Sequence, residues 1–297
     1  MEHKLIQRSS EELLVVFSPI NIPKGKFGFS RFFAKEKRNV LFFNCENTWY
    51  VDCIPEIEKI VESALNDLNP KSVVFYGASM GGYAAARIGG QYPQYPSYLF
   101  GPELKLYIPG SLSDKNASIK KQNVDISDFE HLDFSNTVVI FGIYEPIDLK
   151  QYQLSLNLGF YATIPVKSPH AVHEELYYRD LISPMSRSLT CEDFIKNMPN
   201  NFIEKRQLGG FSEIFYELFF FAKPENQQKD IEFLKEIKHP SAYWILIKLA
   251  LKWKNKDLLR YVESELEIYF SECSEGFSMP EKFPKQILNV EKRIRVS

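Results

Sequence analysis

Short apolar runs alternate with longer amphipathic segments along the first 170 residues of the chain. Each apolar run holds five to eight residues and is rich in valine, isoleucine, leucine and phenylalanine, which is typical of strands buried within a sheet. We predict six strands from these runs, at residues 13–17, 39–44, 72–77, 104–108, 137–144 and 160–166.

Amphipathic segments fill the intervals between these strands. Ile54, Ile57 and Val61 recur at helical spacing, which predicts a helix over residues 53–68. Near-continuous apolar strands separated by helices are typical of a mostly parallel sheet that is covered by helices on both faces. The pattern therefore predicts an α/β domain over residues 1–188.

The pattern changes after residue 188, because no further strand-like run occurs there. Amphipathic segments instead recur between proline and asparagine breaks. They predict four helices, at residues 211–221, 227–237, 242–253 and 258–270. We therefore predict an all-helical C-terminal domain over residues 189–297, packed on the α/β domain.

Composition and charge limit the classes of partner. Hydrophobic residues make up 44% of the chain and charged residues 25%, as in a globular protein. The net charge is −2, from 36 Lys and Arg against 38 Asp and Glu, so nothing drives the chain toward nucleic acid or an anionic membrane. No apolar stretch is long enough for a membrane span or for the core of a signal peptide. We expect a cytoplasmic protein.

Several kinds of chemistry lack a sequence signature. The four cysteines form no CxxC pair and have no histidine at ligand spacing, so we predict neither a metal site nor a disulfide framework. The chain also has no Walker loop, GxGxxG or HExxH motif. Nucleotide hydrolysis, nicotinamide chemistry and metal chemistry are therefore not indicated, and we predict no tightly bound cofactor.

The sequence GASMG at residues 77–81 has the form G-x-S-x-G and lies between a predicted strand and a small-residue-rich predicted helix. This context is that of a nucleophile elbow, a sharp turn that exposes a serine hydroxyl at the top of a sheet. Glycines two residues before and after the serine let the strand and the helix approach closely. We predict that Ser79 is a nucleophile.

A nucleophilic serine needs a base and an orienting acid, which follow it in the order Ser, Asp or Glu, His. His170 and His173 follow the last predicted strand, and we favour His170 because His173 begins a predicted helix. Asp148 and Glu145 follow the preceding strand. We favour Asp148, whose side chain is the commoner length for this role, and keep Glu145 as the alternative.

The remaining candidates surround the same edge of the predicted sheet. The backbone N–H of Met80 lies at a helix N-terminus, and that of Ile20 follows the first strand, so both are candidate oxyanion donors. Aromatic residues after the second strand could stack on a sugar or an adenine, or fill the base of a loop, while nearby lysines could meet phosphate or carboxylate groups. The candidate substrate-binding residues are Trp49, Tyr50, Lys24 and Lys26.

Residues 12–188 resemble the α/β-hydrolase superfamily in the GASMG elbow and in the order Ser79, Asp148, His170. Within that superfamily, the run FYGASMGGYAAARIG, the NTWY segment and the short interval between Asp148 and His170 are similar to bacterial O-acetyltransferases that modify capsular polysaccharides. The resemblance implies acetyl-CoA as the donor, a glycan hydroxyl as the acceptor and a cytoplasmic reaction. It does not extend to the helical C-terminal part.

Three functions agree with these residues. The first is an O-acyltransferase in which Ser79 takes an acetyl group and a sugar hydroxyl, deprotonated by His170, resolves it. The second is an esterase or thioesterase, in which water is the acceptor. The third is a non-catalytic, hydrolase-like partner in export, against which the complete set of serine, acid and histidine argues. We favour the first.

Overall fold

The computed structural model describes residues 1–46, 48–116, 129–178, 180–206 and 208–272. Within these residues, seven strands form one sheet. The strands are β1 (Glu2–Ile6), β2 (Glu12–Phe17), β3 (Asn39–Asn44), β4 (Ser72–Ala78), β5 (Ser97–Phe100), β6 (Thr137–Gly142) and β7 (Ala162–Val166).

The strand order across the sheet is β1-β3-β2-β4-β5-β6-β7. Only the edge strand β1 is antiparallel to its neighbour, and every other adjacent pair is parallel. The carboxyl ends of β2 to β7 therefore meet at one edge, with β4 at the centre, and open α/β sheets bind their ligands at such an edge. The predicted fold class, a mostly parallel sheet flanked by helices, is confirmed.

One predicted strand, at residues 104–108, is wrong. The chain pairs as β5 just upstream, stops at Gly101 (φ 54°) and Pro102, and then runs through turns. Leu104 is still fully buried, and Tyr107 adopts a left-handed backbone conformation (φ 58°) that no strand accepts. The alternating apolar residues of this segment therefore reflect burial under the helices rather than sheet pairing.

Helices cover both faces of this sheet. In chain order they are α1 (Ile54–Leu68), α2 (Met80–Gly89), α3 (Leu112–Lys115), α4 (Pro146–Ser155), α5 (Val172–Tyr178), α6 (Ile182–Ser186), α7 (Cys191–Lys196), α8 (Ser212–Phe221), α9 (Gln227–Ile237), α10 (Pro240–Lys252) and α11 (Lys256–Glu272). Across the described ranges, none of these helices has the length and apolar character to cross a membrane.

Alternate residues of each strand supply two separate cores, as the period of two in a strand requires. In β2, Leu13 and Val15 face the larger core, which contains α1, α2 and helices of the C-terminal part. Leu14 and Val16 face the smaller core, which contains α5, α6 and α7. The domain boundary at residues 188 and 189 stays a prediction, and residues 273–297 of the predicted helical domain lie outside the described residues.

A buried polar contact joins the C-terminal helices to the sheet. His239, at the start of α10, is fully buried, with Nε2 3.1 Å from Glu204 Oε2 and Nδ1 2.9 Å from Ser241 Oγ. The Ser241 hydroxyl donates to the carbonyl of Ile143, directly after β6. Burial lowers the pKa of His239, so the imidazole is neutral. These contacts fix α10 against the end of the strand.

Replacing His239 by alanine tests this contact. His239→Ala leaves Glu204 Oε2 without its hydrogen bond, so the free energy of unfolding should fall by about 1–3 kcal/mol. Urea denaturation measures it. The exposed His131 provides the matched control, because His131→Ala should change stability by less than about 0.5 kcal/mol. A His239→Ala protein as stable as the control would contradict a structural role.

Candidate active site

The turn between β4 and α2 holds Ser79 in a strained backbone conformation, with φ 52° and ψ −120°. A Cβ on Gly77 would lie 2.2 Å from the carbonyl oxygen of Gly81. A Cβ on Gly81 would lie 2.2 Å from the carbonyl oxygen of Phe17, at the end of β2. Neither approach tolerates a side chain, so both glycines are required for the turn, as the sequence motif predicts.

The structure brings Ser79, His170 and Asp148 into one hydrogen-bonded chain. His170 Nε2 lies 3.0 Å from Ser79 Oγ, and His170 Nδ1 lies 2.8 Å from Asp148 Oδ1. The His170 side chain is 22% exposed, whereas that of Asp148 is 1% exposed. The arrangement has the geometry of a Ser–His–Asp triad, with the histidine as its most exposed member and the acid fully buried.

The carboxyl ends of three parallel strands position these side chains. Ser79 follows β4, Asp148 lies in the first turn of α4 after β6, and His170 lies in the loop after β7. That loop passes so close to β6 that a Cβ on Gly142 would lie 2.1 Å from the carbonyl oxygen of Pro169. The histidine loop is therefore held against the strand that precedes the acid-bearing helix α4.

The alternative acid and the alternative base occupy other positions. Glu145 Oε1 accepts a hydrogen bond from the backbone N–H of His170 at 3.2 Å, so it holds the backbone of the histidine rather than its ring. His173 is buried among aromatic rings, and this burial lowers its pKa to about 3. The rings around it, with centroids 4.4 to 5.6 Å away, are those of Phe29, Phe32, Tyr76 and Phe100.

The charges in the site favour a protonated His170. Burial lowers the pKa of His170, but the carboxylate of Asp148 outweighs it and raises that pKa to about 9. Burial also raises the pKa of Asp148, against the attraction of the imidazole. The imidazolium that forms when His170 takes a proton from Ser79 is consequently stabilised by its neighbour.

A third carboxylate near His170, that of Glu103, was missed by the sequence analysis. Glu103 follows β5, is 1% exposed, and its charge contributes to the raised pKa of His170. Its two oxygens accept hydrogen bonds from the backbone N–H groups of Leu112 (2.8 Å) and Ser113 (3.1 Å). An acid three residues after a strand is a usable signal, but the strand here was predicted at 104–108, which placed Glu103 before it.

The candidate oxyanion donors lie in two segments, the start of α2 and the loop after β2. Met80 is the first residue of α2, where backbone N–H groups lack intrahelical acceptors. Ile20 is half-buried in the loop after β2. Ser18 anchors that loop, because its hydroxyl donates to the carbonyl of Phe43 (2.7 Å) and accepts from the N–H of Gly28 (2.8 Å).

The predicted contact of Trp49 and Tyr50 with substrate needs correction. Both side chains are 0% exposed, and the Tyr50 hydroxyl donates to the backbone carbonyls of Ser18 and Phe43. These rings fill the base of the loop, since the apolar surface of the larger core extends beneath it. They therefore offer no surface to a sugar or an adenine in this structure.

The predicted lysines are exposed, and Lys26 lines a large cavity. We call it the loop–helix cavity, because it lies between residues 19–32 and α5; its volume is about 760 Å³. Lys24 lies instead at a smaller cavity beside Cys45. Charged and aromatic residues lining the loop–helix cavity include Lys4, Lys26, Arg31, Phe32, Tyr177 and Tyr178.

No family model and no curated protein sequence matches the chain. The chain is similar to the capsule O-acetyltransferase of Neisseria meningitidis serogroup A, at 14% identity and a TM-score of 0.48 over 63% of this chain and 92% of that one. A mutant of that enzyme in complex with CoA is 15% identical, with a TM-score of 0.45 over 61% and 91%. An esterase of Pyrococcus furiosus is 14% identical, with a TM-score of 0.42 over 61% and 83%.

The chain has the α/β-hydrolase fold. The strand order, with its single antiparallel edge strand, and the elbow between β4 and α2 carry this assignment. The groups at the carboxyl edge are those that acyl transfer to a serine, or hydrolysis of an acyl-serine, requires.

Titration of the His170 imidazole by NMR tests the electrostatics of the site. We expect a midpoint near pH 9 in the unchanged protein, because the Asp148 carboxylate favours the imidazolium. Asp148→Asn should lower that midpoint by roughly 1–3 pH units, since burial then acts with less opposition. His173 should stay neutral down to about pH 3 and serves as the internal control. A midpoint at or below the ordinary 6.5 in the unchanged protein would refute this account.

Proposed function

We propose that the chain is a serine acyltransferase that moves an acetyl group from acetyl-CoA to a hydroxyl of a bacterial surface or capsular polysaccharide. The observation that carries the proposal is the hydrogen-bonded chain from Ser79 Oγ through His170 to Asp148, at a strained elbow. The acetyl donor, the glycan acceptor and a cytoplasmic reaction follow from the sequence resemblance described above.

The first half-reaction requires His170 in its neutral form, whose share rises with pH toward the His170 pKa of about 9. Ser79 Oγ then attacks the carbonyl carbon of the thioester while its proton passes to His170 Nε2. Asp148 holds the imidazole through Nδ1 and stabilises its positive charge. We assign the N–H groups of Met80 and Ile20 as donors to the developing oxyanion. The carbon–sulfur bond then breaks, and the CoA sulfur takes the proton from His170.

In the second half-reaction, His170 removes the proton of an acceptor hydroxyl, whose oxygen attacks the acetyl-serine. The bond to Ser79 Oγ breaks, and the serine recovers its proton from His170. A sugar must displace water from this step, so the enzyme needs a surface that orients the acceptor. With water as the acceptor, the same residues would make a hydrolase.

The loop–helix cavity supports a role in holding an anionic acceptor or donor. Its walls come from the loop that carries Ile20 and from α5, which begins two residues after His170. Among the described residues, Lys4, Lys26 and Arg31 make no ion pair, although Glu174 contributes an opposing charge. Such cations can bind a phosphate or carboxylate group of a ligand, and the neighbouring aromatic rings can stack on a planar ring of the same ligand.

The roles of the triad residues are tested by paired variants. A fluorophosphonate probe should label Ser79, and Ser79→Ala should abolish both labelling and turnover. Asp148→Asn should lower kcat by a factor on the order of 10⁴, because an amide no longer holds the proton of the neutral imidazole on Nδ1, the tautomer that leaves Nε2 free to accept the serine proton. Glu145→Gln is the matched acid-to-amide control and should cost less than roughly tenfold. If the two acids reverse in effect, Glu145 is the orienting acid.

The choice between transferase and hydrolase is tested by the response to an acceptor. CoA release from acetyl-CoA should rise at least roughly tenfold when an acidic capsule-type oligosaccharide is added, because orientation favours the sugar over water. Lys26→Gln should lower this acceptor-dependent rate more than background hydrolysis. Lys59→Gln, on the exposed side of α1, should change neither. Rapid cleavage of p-nitrophenyl acetate with no response to oligosaccharide would instead identify an esterase.

A further inference from the structure

Two cysteines lie side by side at the carboxyl edge of the sheet, outside the triad. Cys45 follows β3 and Cys53 directly precedes α1, and their Sγ atoms are 3.8 Å apart. Both are free thiols in this structure. A disulfide needs a sulfur–sulfur distance of about 2.05 Å, so side-chain movement of less than about 2 Å would close the bond.

The backbone between the two cysteines brings them together. Trp49 and Tyr50 both adopt left-handed conformations, with φ 50° and 60°, which turn the chain back toward Cys45. The fully buried rings of these two residues fix the turn in the larger core. The proximity of the thiols is therefore imposed by packing rather than by the thiols themselves.

Cys45 Sγ has two hydrogen-bonding neighbours, Thr48 Oγ1 at 2.6 Å and Cys53 Sγ at 3.8 Å, which can stabilise a thiolate there. The hydrogen bonds from Cys53 and from Thr48 outweigh burial and lower the pKa of Cys45. The same contact raises the pKa of Cys53. A thiolate is the nucleophile in thiol–disulfide exchange, so Cys45 would react first and Cys53 would resolve the product.

Small molecules can approach this pair. A cavity of about 380 Å³ is lined by both cysteines and by Lys24, Glu46 and Asp52. Cys191 provides the contrast, because burial raises the pKa of its thiol to about 12 and its Sγ donates to Asn136 Oδ1. Only the pair combines a thiolate, a resolving thiol and an opening to solvent among Cys45, Cys53 and Cys191.

We propose that Cys45 and Cys53 form a dithiol–disulfide site that small disulfides such as oxidised glutathione oxidise. The Cys45 thiolate attacks one sulfur of the small disulfide and expels the other as a thiolate. Cys53 then gives up its proton and attacks Cys45 Sγ, which expels the second thiolate. Two protein thiols become one disulfide, and the small disulfide becomes two thiols.

Oxidation at this site acts on the loop that carries Ile20. Tyr50 lies between the cysteines, and its hydroxyl donates to the Ser18 carbonyl at 3.1 Å and to the Phe43 carbonyl at 3.2 Å. Ser18 is the residue from which that loop departs. Closing the disulfide restricts the opening of the segment that holds Tyr50, so both it and the start of the loop become more rigid.

The experiment incubates the full chain, carrying Cys273→Ser so that the fourth cysteine adds no adduct, with oxidised glutathione, stops the exchange with acid and measures intact mass. We expect a loss of about 2 Da that dithiothreitol reverses. Trypsin leaves both cysteines in one peptide, so Glu-C, which cuts after Glu46, is needed to show two peptides joined by a disulfide. Hydrogen exchange at residues 18 and 20 should slow severalfold in the oxidised form.

Two serine variants supply the controls. Cys191→Ser should show the same loss of about 2 Da as the unchanged chain. Cys53→Ser should instead retain a glutathione adduct of about 305 Da on Cys45, because no second thiol resolves it. The proposal is overturned if the unchanged chain keeps separate adducts on Cys45 and Cys53, or if neither cysteine reacts while the chain is folded.

Discussion

Close contact between the start of α2, the end of β4 and the end of β2 is the constraint on which the active edge depends. Gly77 and Gly81 are the points of contact, and neither has room for a side chain. Because α2 begins so near the sheet, the residue between strand and helix must adopt a conformation that other residues avoid. Ser79 occupies it, and its hydroxyl is held beside His170 as a result.

The chain contains two serine–histidine–acid groups with similar hydrogen bonds, and they differ in how far they are exposed to solvent. Ser241, His239 and Glu204 are hydrogen-bonded much as the triad is, yet the serine and the histidine have no exposed surface. The hydroxyl of Ser241 is already committed to a carbonyl of the sheet, whereas the His170 side chain is partly exposed. Hydrogen-bond geometry alone therefore does not define a nucleophile, and access to a substrate is the second requirement.

The elbow could be predicted because Gly77, Ser79 and Gly81 lie within five residues of sequence, and this spacing between a strand and a helix is typical of a nucleophile elbow. Strand β5 could not, since its four residues between Pro96 and Gly101 are too few to show a period. Strand β1 alternates polar and apolar residues weakly, because it lies at an exposed edge. The burial of Trp49 and Tyr50 depends on a core whose residues are distant in sequence, and no local pattern reports it.

The bond from Ser241 to the Ile143 carbonyl spans 98 residues of sequence and ends just before the acid-bearing helix α4. Proteins are synthesised from the N-terminus, at roughly 5–20 residues per second. A nascent chain that has emerged only to residue 230 already contains every member of the triad but lacks the donor that fixes the end of β6. The 71 residues from His170 to Ser241 take roughly 4–14 s to synthesise at that rate, and during this interval the end of β6 lacks its contact with α10.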